Sequence, residues 1–133
     1  MRGSAQQINS GVYLIHTNRE LGLMLKGVKP LAKFVDFEGY YPEVVLRYLR
    51  LFDRHVEQGR MTRRDVFTQT DKGVLHYVYY ALPGEEWRID AMIDLWARPG
   101  NWSREREREE GKLLGYTDSQ NDMWLSQYYK GPD

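Results

Sequence analysis

The sequence predicts an α+β domain with about four mostly antiparallel strands, four to five helices and a helical C-terminal segment. Three observations carry that prediction. Short β-branched and aromatic runs are interleaved with segments of helical period. Two strand-length runs flank the turn residues Asp71-Lys72-Gly73, as in a hairpin. From residue 85 onward the chain reads as helix only, interrupted at Pro99-Gly100 and Gly115.

A length of 133 residues suits one domain, with 41% hydrophobic and 29% charged residues as in ordinary globular folds. Residues 1–9 are read as a flexible lead-in and residues 10–133 as the domain. Residues 12–16, Val-Tyr-Leu-Ile-His, have strand character. Thr17 and Glu20 have capping-box spacing for a short helix over 18–26, closed by Gly27. After Pro30, residues 31–37 form the second expected strand. Pro42 suits the first turn of a helix over 43–58. Val45, Leu49, Phe52 and Val56 share one face of it; Glu43, Arg47, Arg50, Arg54 and Glu57 share the other.

The hairpin follows, over 63–71 and 74–82. Its second strand is hydrophobic on both alternations: Val74, His76, Val78, Tyr80 and Leu82 on one, Leu75, Tyr77, Tyr79 and Ala81 on the other. Such a strand belongs in the middle of a sheet covered on both faces. A helix over 85–97 carries Glu85 and Glu86 in its first turn and Arg98 just after its end, which complements the helix dipole. Ser103 is placed to cap a strongly charged helix that runs to about Leu114. Gly115 closes it, and Thr117 with Gln120 forms a capping box for a last helix from Asp118 to about Lys130.

The composition excludes several functions. Without cysteine there is no disulfide scaffold, thiolate metal site or Cys nucleophile, and the chain fits a reducing cytoplasm. No apolar run reaches the roughly 20 residues of a membrane span. His16, His55 and His76 lack metal-ligand spacing, and Glu86 with Asp90 lacks a calcium loop, so no metal or cofactor is expected. No serine sits in a nucleophile elbow and no Gly-rich phosphate loop is present. The formal charge is zero, unlike that of a general nucleic-acid binder, yet basic residues predominate in the first half and acidic ones in the second.

Three functional readings follow. The leading one is a non-enzymatic domain that docks a protein partner through Glu86, Trp87, Asp90 and Asp94. Like charges at i,i+4 disfavour a helix, so this acidic row needs internal pairing, solvent or a basic partner, and Trp87 beside it supplies an anchor. The second is a DNA-binding regulator. Leu113 to Leu125 is similar in outline to bacterial helix-turn-helix segments, with Gln120 and Asn121 near the start of the second helix and Arg60, Arg63 and Arg64 available for phosphates. Asp118 and Asp122 oppose that reading, since phosphate contacts supply most of such affinity. The third is a small enzyme or ligand-binding domain, its pocket lined by His76, Tyr77, Tyr79, Tyr80 and Trp87, although no carboxylate on the strand orients His76. The oligomeric state is left open by the sequence.

Overall fold

A computed structural model describes residues 19–133. The strand expected over 12–16, with His16, the cap at Thr17 and the lead-in at 1–9 lie outside the described residues. Five helices and three strands follow in the order α1 (Glu20–Leu25), β1 (Leu31–Phe37), α2 (Glu43–Glu57), β2 (Thr62–Thr70), β3 (Gly73–Ala81), α3 (Trp87–Ala97), α4 (Arg104–Leu113) and α5 (Asp118–Gln127). The class is α+β, and among the described residues the sheet has three strands rather than about four.

The sheet order is β1-β3-β2, and both pairings are antiparallel. The doubly apolar strand β3 is therefore central. β1 and β2 run parallel to one another on either side of it, joined by α2, so the crossover belongs to α2 and not to α1. Successive side chains on a strand point to opposite faces, and each face of β3 meets its own helices. On one side Ala32, Phe34, Val78 and Tyr80 pack with Met24 of α1 and with Tyr48, Leu49 and Phe52 of α2. Phe34 meets Phe52, Tyr48 and Tyr80 edge-on at centroid distances of 5.6, 6.0 and 6.3 Å, and Phe52 stacks on Tyr80 at 4.4 Å. Each such ring pair adds about 0.5–1.5 kcal/mol beyond simple burial, which accounts for part of the aromatic excess. On the other side Leu31, Tyr79 and Ala81 pack with Ile89, Met92 and Leu95 of α3 and with Leu113 and Leu114 at the end of α4.

The caps follow the residues that predict them. Ser103 Oγ accepts the Arg106 N–H at the start of α4. At α5, Thr117 and Gln120 form both halves of the capping box. Gly115 (φ +98°) ends α4 with paired bonds, Tyr116 N–H to Gly111 O at 2.9 Å and Gly115 N–H to Lys112 O at 3.0 Å. Pro30 packs so closely on Gly115 that any Cβ there would overlap its ring. Beside it the buried Lys29 ammonium donates to Leu114 O at 3.0 Å and lies over the Tyr116 ring. A cation at the carbonyl end of α4 suits the helix dipole, and it fastens the start of β1 to the α4–α5 corner.

Candidate functional site

The outer edge of α3 carries the acidic and aromatic residues singled out in the sequence. Ile89, Met92 and Leu95 hold the helix down, and this turns Trp87, Asp90 and Asp94 outward. Trp87 is 54% exposed, with the Arg88 guanidinium 4.7 Å from its ring centroid. Asp90 accepts from Arg64 Nη1 of β2 at 2.6 Å, and the pair remains well exposed. Asp94 is exposed and makes no ion pair among the described residues. Glu86 turns back on the chain. One carboxylate oxygen accepts the Gly84 N–H at 3.0 Å and the other the Thr62 hydroxyl at 3.2 Å. The acidic row is thus divided: Glu86 braces the loop before α3, Asp90 shares its charge with Arg64, and Asp94 stands exposed two turns beyond Trp87.

A second surface lies across the sheet. Between α1 and α2 runs an open trough of ≈ 780 Å³, with Leu21, Leu25, Val44 and Leu51 along it and Arg47 and Arg54 at its rim. Val44, Leu25 and Leu51 are 58%, 46% and 42% exposed, which is unusual for residues of this size gathered on one face. Val44, Arg47, Leu51 and Arg54 succeed one another at i, i+3, i+7 and i+10, a single stripe along α2. Arg50 at the rim is paired with Glu43 at 3.0 Å, whereas Arg47 and Arg54 make no ion pair among the described residues. These arginines lie on the polar face expected for α2, but Val44 and Leu51 interrupt that face with apolar side chains.

His76 proves to have a carboxylate partner. Its Nε2 lies 2.7 Å from Asp65 Oδ2, on the neighbouring strand β2. Arg63 grips Asp65 through Nε and Nη2 at 2.8 and 2.9 Å, and reaches Asp53 of α2 through Nη1. The Tyr80 hydroxyl donates to Asp53 Oδ1 at 2.8 Å. Phe67 stacks on the imidazole at 4.4 Å, and the Tyr41 hydroxyl donates to the His76 carbonyl. Arg63 first, and then His76, hold the Asp65 carboxyl below the usual carboxylate range, against the opposing effect of burial. Burial above all pushes the Tyr41 and Tyr80 hydroxyls far above the ordinary phenol range. This chain of charges pins the hairpin to α2.

The tyrosines expected to line a pocket do not converge. His76 and Tyr80 face α2, while Tyr77 and Tyr79 face α3 and stack on one another at 6.1 Å. Tyr79 and Tyr80 are both essentially inaccessible. The residues considered for DNA are also dispersed. Arg63 and Arg64 are engaged by Asp53, Asp65 and Asp90, and Arg60 lies beside His55 Nδ1. Gln120 is spent in the capping box, and Asn121 is buried against Gly111 of α4.

Two carboxylates in the charged run of α4 face inward. Glu107, which is buried, accepts from the indole N–H groups of Trp102 and Trp124 at 2.8 and 2.7 Å. Glu110, also buried, accepts from Trp96 Nε1 at 3.0 Å and pairs with Lys33 of β1 at 2.5 Å. Paired and hydrogen-bonded in this way, they avoid the penalty of isolated buried charge and tie α3, α4, α5 and β1 together.

Among the described residues no cluster of three or more His, Asp or Glu side chains is arranged to hold a metal, and no helix is long and apolar enough to cross a membrane. Comparison of the chain with protein-family models, with curated proteins and with solved structures finds no match.

Proposed function

We propose that this chain is a protein-docking domain that engages its partner through the outer edge of α3. The observation that carries the proposal is Trp87, more than half exposed on a helix whose next two turns present Asp90 and Asp94. Exposed indole rings dominate binding energy where a partner pocket desolvates them, and carboxylates around the ring orient the approach of a basic surface. The partner surface is therefore basic around an apolar depression. The DNA reading draws less support from the geometry, because Asn121 is buried and Arg63 and Arg64 are already paired. The pocket reading draws less support because Tyr79 and Tyr80 fill opposite faces of the sheet.

The test is affinity capture from the native host with two baits, the unaltered chain and a Trp87→Ala/Asp94→Lys variant. A protein held by the first bait, released by high salt and absent from the second supports the α3 edge. An identical set of captured proteins on both baits overturns it.

A further inference from the structure

The molecule itself carries a surface with the properties required of the partner. From the two faces of the sheet we infer that the arginine-rimmed trough between α1 and α2 receives the α3 edge of a second copy of this chain, joining copies head to tail. This inference rests on the docking role proposed for the α3 edge. The two surfaces match in three respects. In apolar character, an exposed indole at Trp87 answers an open apolar bed of Leu21, Leu25, Val44 and Leu51. In charge, Asp90 and Asp94 answer Arg47 and Arg54, and neither arginine nor Asp94 is ion-paired within the described residues. In length, Arg47 and Arg54 are separated along α2 by about 10 Å, and Asp90 and Asp94 along α3 by about 6 Å. That difference lies within the reach of arginine side chains.

The overall charge balance fits the same picture. The chain has 19 basic and 19 acidic residues, yet the trough is rimmed by arginines and the α3 edge by carboxylates. The two surfaces sit on opposite faces of the sheet, because α2 packs on one face of β3 and α3 on the other. A contact between unlike surfaces does not close on itself in a dimer. It propagates into a ring or an open string of copies.

The experiment is sedimentation velocity on the full chain over a concentration series at low and high salt. The unaltered chain is expected to grow in size with concentration at low salt and to lose that growth at high salt. Two one-sided variants separate the surfaces: Arg47→Glu/Arg54→Glu destroys the trough rim and leaves α3 intact, and Trp87→Ala/Asp94→Lys does the reverse. Each is expected to be monomeric alone. Mixed one to one they should form a heterodimer and nothing larger, because each contributes one sound surface. An unaltered chain that stays monomeric at every concentration overturns the inference. So does an associating chain whose two variants fail to complement each other. If the chain is monomeric while the Trp87→Ala/Asp94→Lys bait still loses a partner that the arginine variant keeps, self-association fails and the docking role of α3 survives. If neither bait loses a partner, both fail.

Discussion

Replacing Gly115 by alanine should cost much more than replacing Gly59 by alanine, although both residues close a helix with positive φ. Gly59 has φ +77° and Gly115 has φ +98°. Both follow their helices with the same paired backbone bonds, Arg60 N–H to His55 O and Gly59 N–H to Val56 O in the one case, Tyr116 N–H to Gly111 O and Gly115 N–H to Lys112 O in the other. A left-handed backbone costs an L-residue about 1–2 kcal/mol. The stiffer unfolded chain returns about 0.4–1 kcal/mol of that. A net loss of about 1 kcal/mol is therefore expected at Gly59, where an added Cβ meets nothing within 4 Å. At Gly115 the same Cβ overlaps the Pro30 ring. Overpacking of this kind adds about 1–3 kcal/mol, for a total of about 2–4 kcal/mol. Urea denaturation followed by tryptophan fluorescence measures both variants. Pro30→Ala supplies the control, since in that background the excess cost at Gly115 should shrink. Equal losses at the two glycines, or an excess that persists without the proline ring, would refute the reasoning.

Three further outcomes are expected. Gly111→Ala forces a methyl into the Asn121 amide; with Asn121→Ala making room, the double variant should be more stable than the sum of the single losses by about 1 kcal/mol, read from a denaturation cycle. Asp65 has its folded pKa depressed, so its contribution is present above the ordinary carboxylate range and is lost as pH falls through the folded value; Asp65→Asn should flatten the decline of stability below about pH 4, and an unchanged acid limb would contradict the Arg63–Asp65–His76 geometry. Burial raises the folded pKa of Tyr41, Tyr48, Tyr79 and Tyr80, so their contribution is complete below about pH 10 and lost above it; ultraviolet titration should show these phenols ionising together with alkaline unfolding, and a smooth independent titration would count against their burial.

How much of this was legible depends on the range over which each contact is set. The caps at Ser103 and Thr117 and the stop at Gly115 are local chemistry, and they stand where the residues predicted them. The central position of β3 was readable from its two apolar alternations. The Asp65–His76 pair was within reach and missed. The turn sets Thr70 opposite Gly73, which puts Phe67 opposite His76 and Asp65 on the adjoining diagonal. The trough was legible too: Val44 and Leu51 are seven residues apart, the same spacing as Arg47 and Arg54, and they form a second stripe on a helix read as having one. Asn121 looked accessible because α5 has no clear apolar face; the opposing clue was Gly111, a residue without a side chain where another helix passes close by. The Arg64–Asp90 and Lys33–Glu110 pairs join elements far apart in the chain, and no spacing within the sequence announces them.

The central strand also fixes when the molecule can become itself. Upstream of it Met24, Phe34, Tyr48, Leu49, Phe52 and Met61 are buried in a cluster completed by Val78 and Tyr80. The opposite cluster needs Tyr79 and Ala81. While the chain is being synthesised, α1, β1, α2 and β2 therefore emerge before the strand that both edge strands pair with. A chain stopped just before Val78 would be a tract of exposed aromatic rings, the substrate of choice for a chaperone or a protease. A few residues later the α2 face of the sheet can close, while the other face waits for α3 and the end of α4.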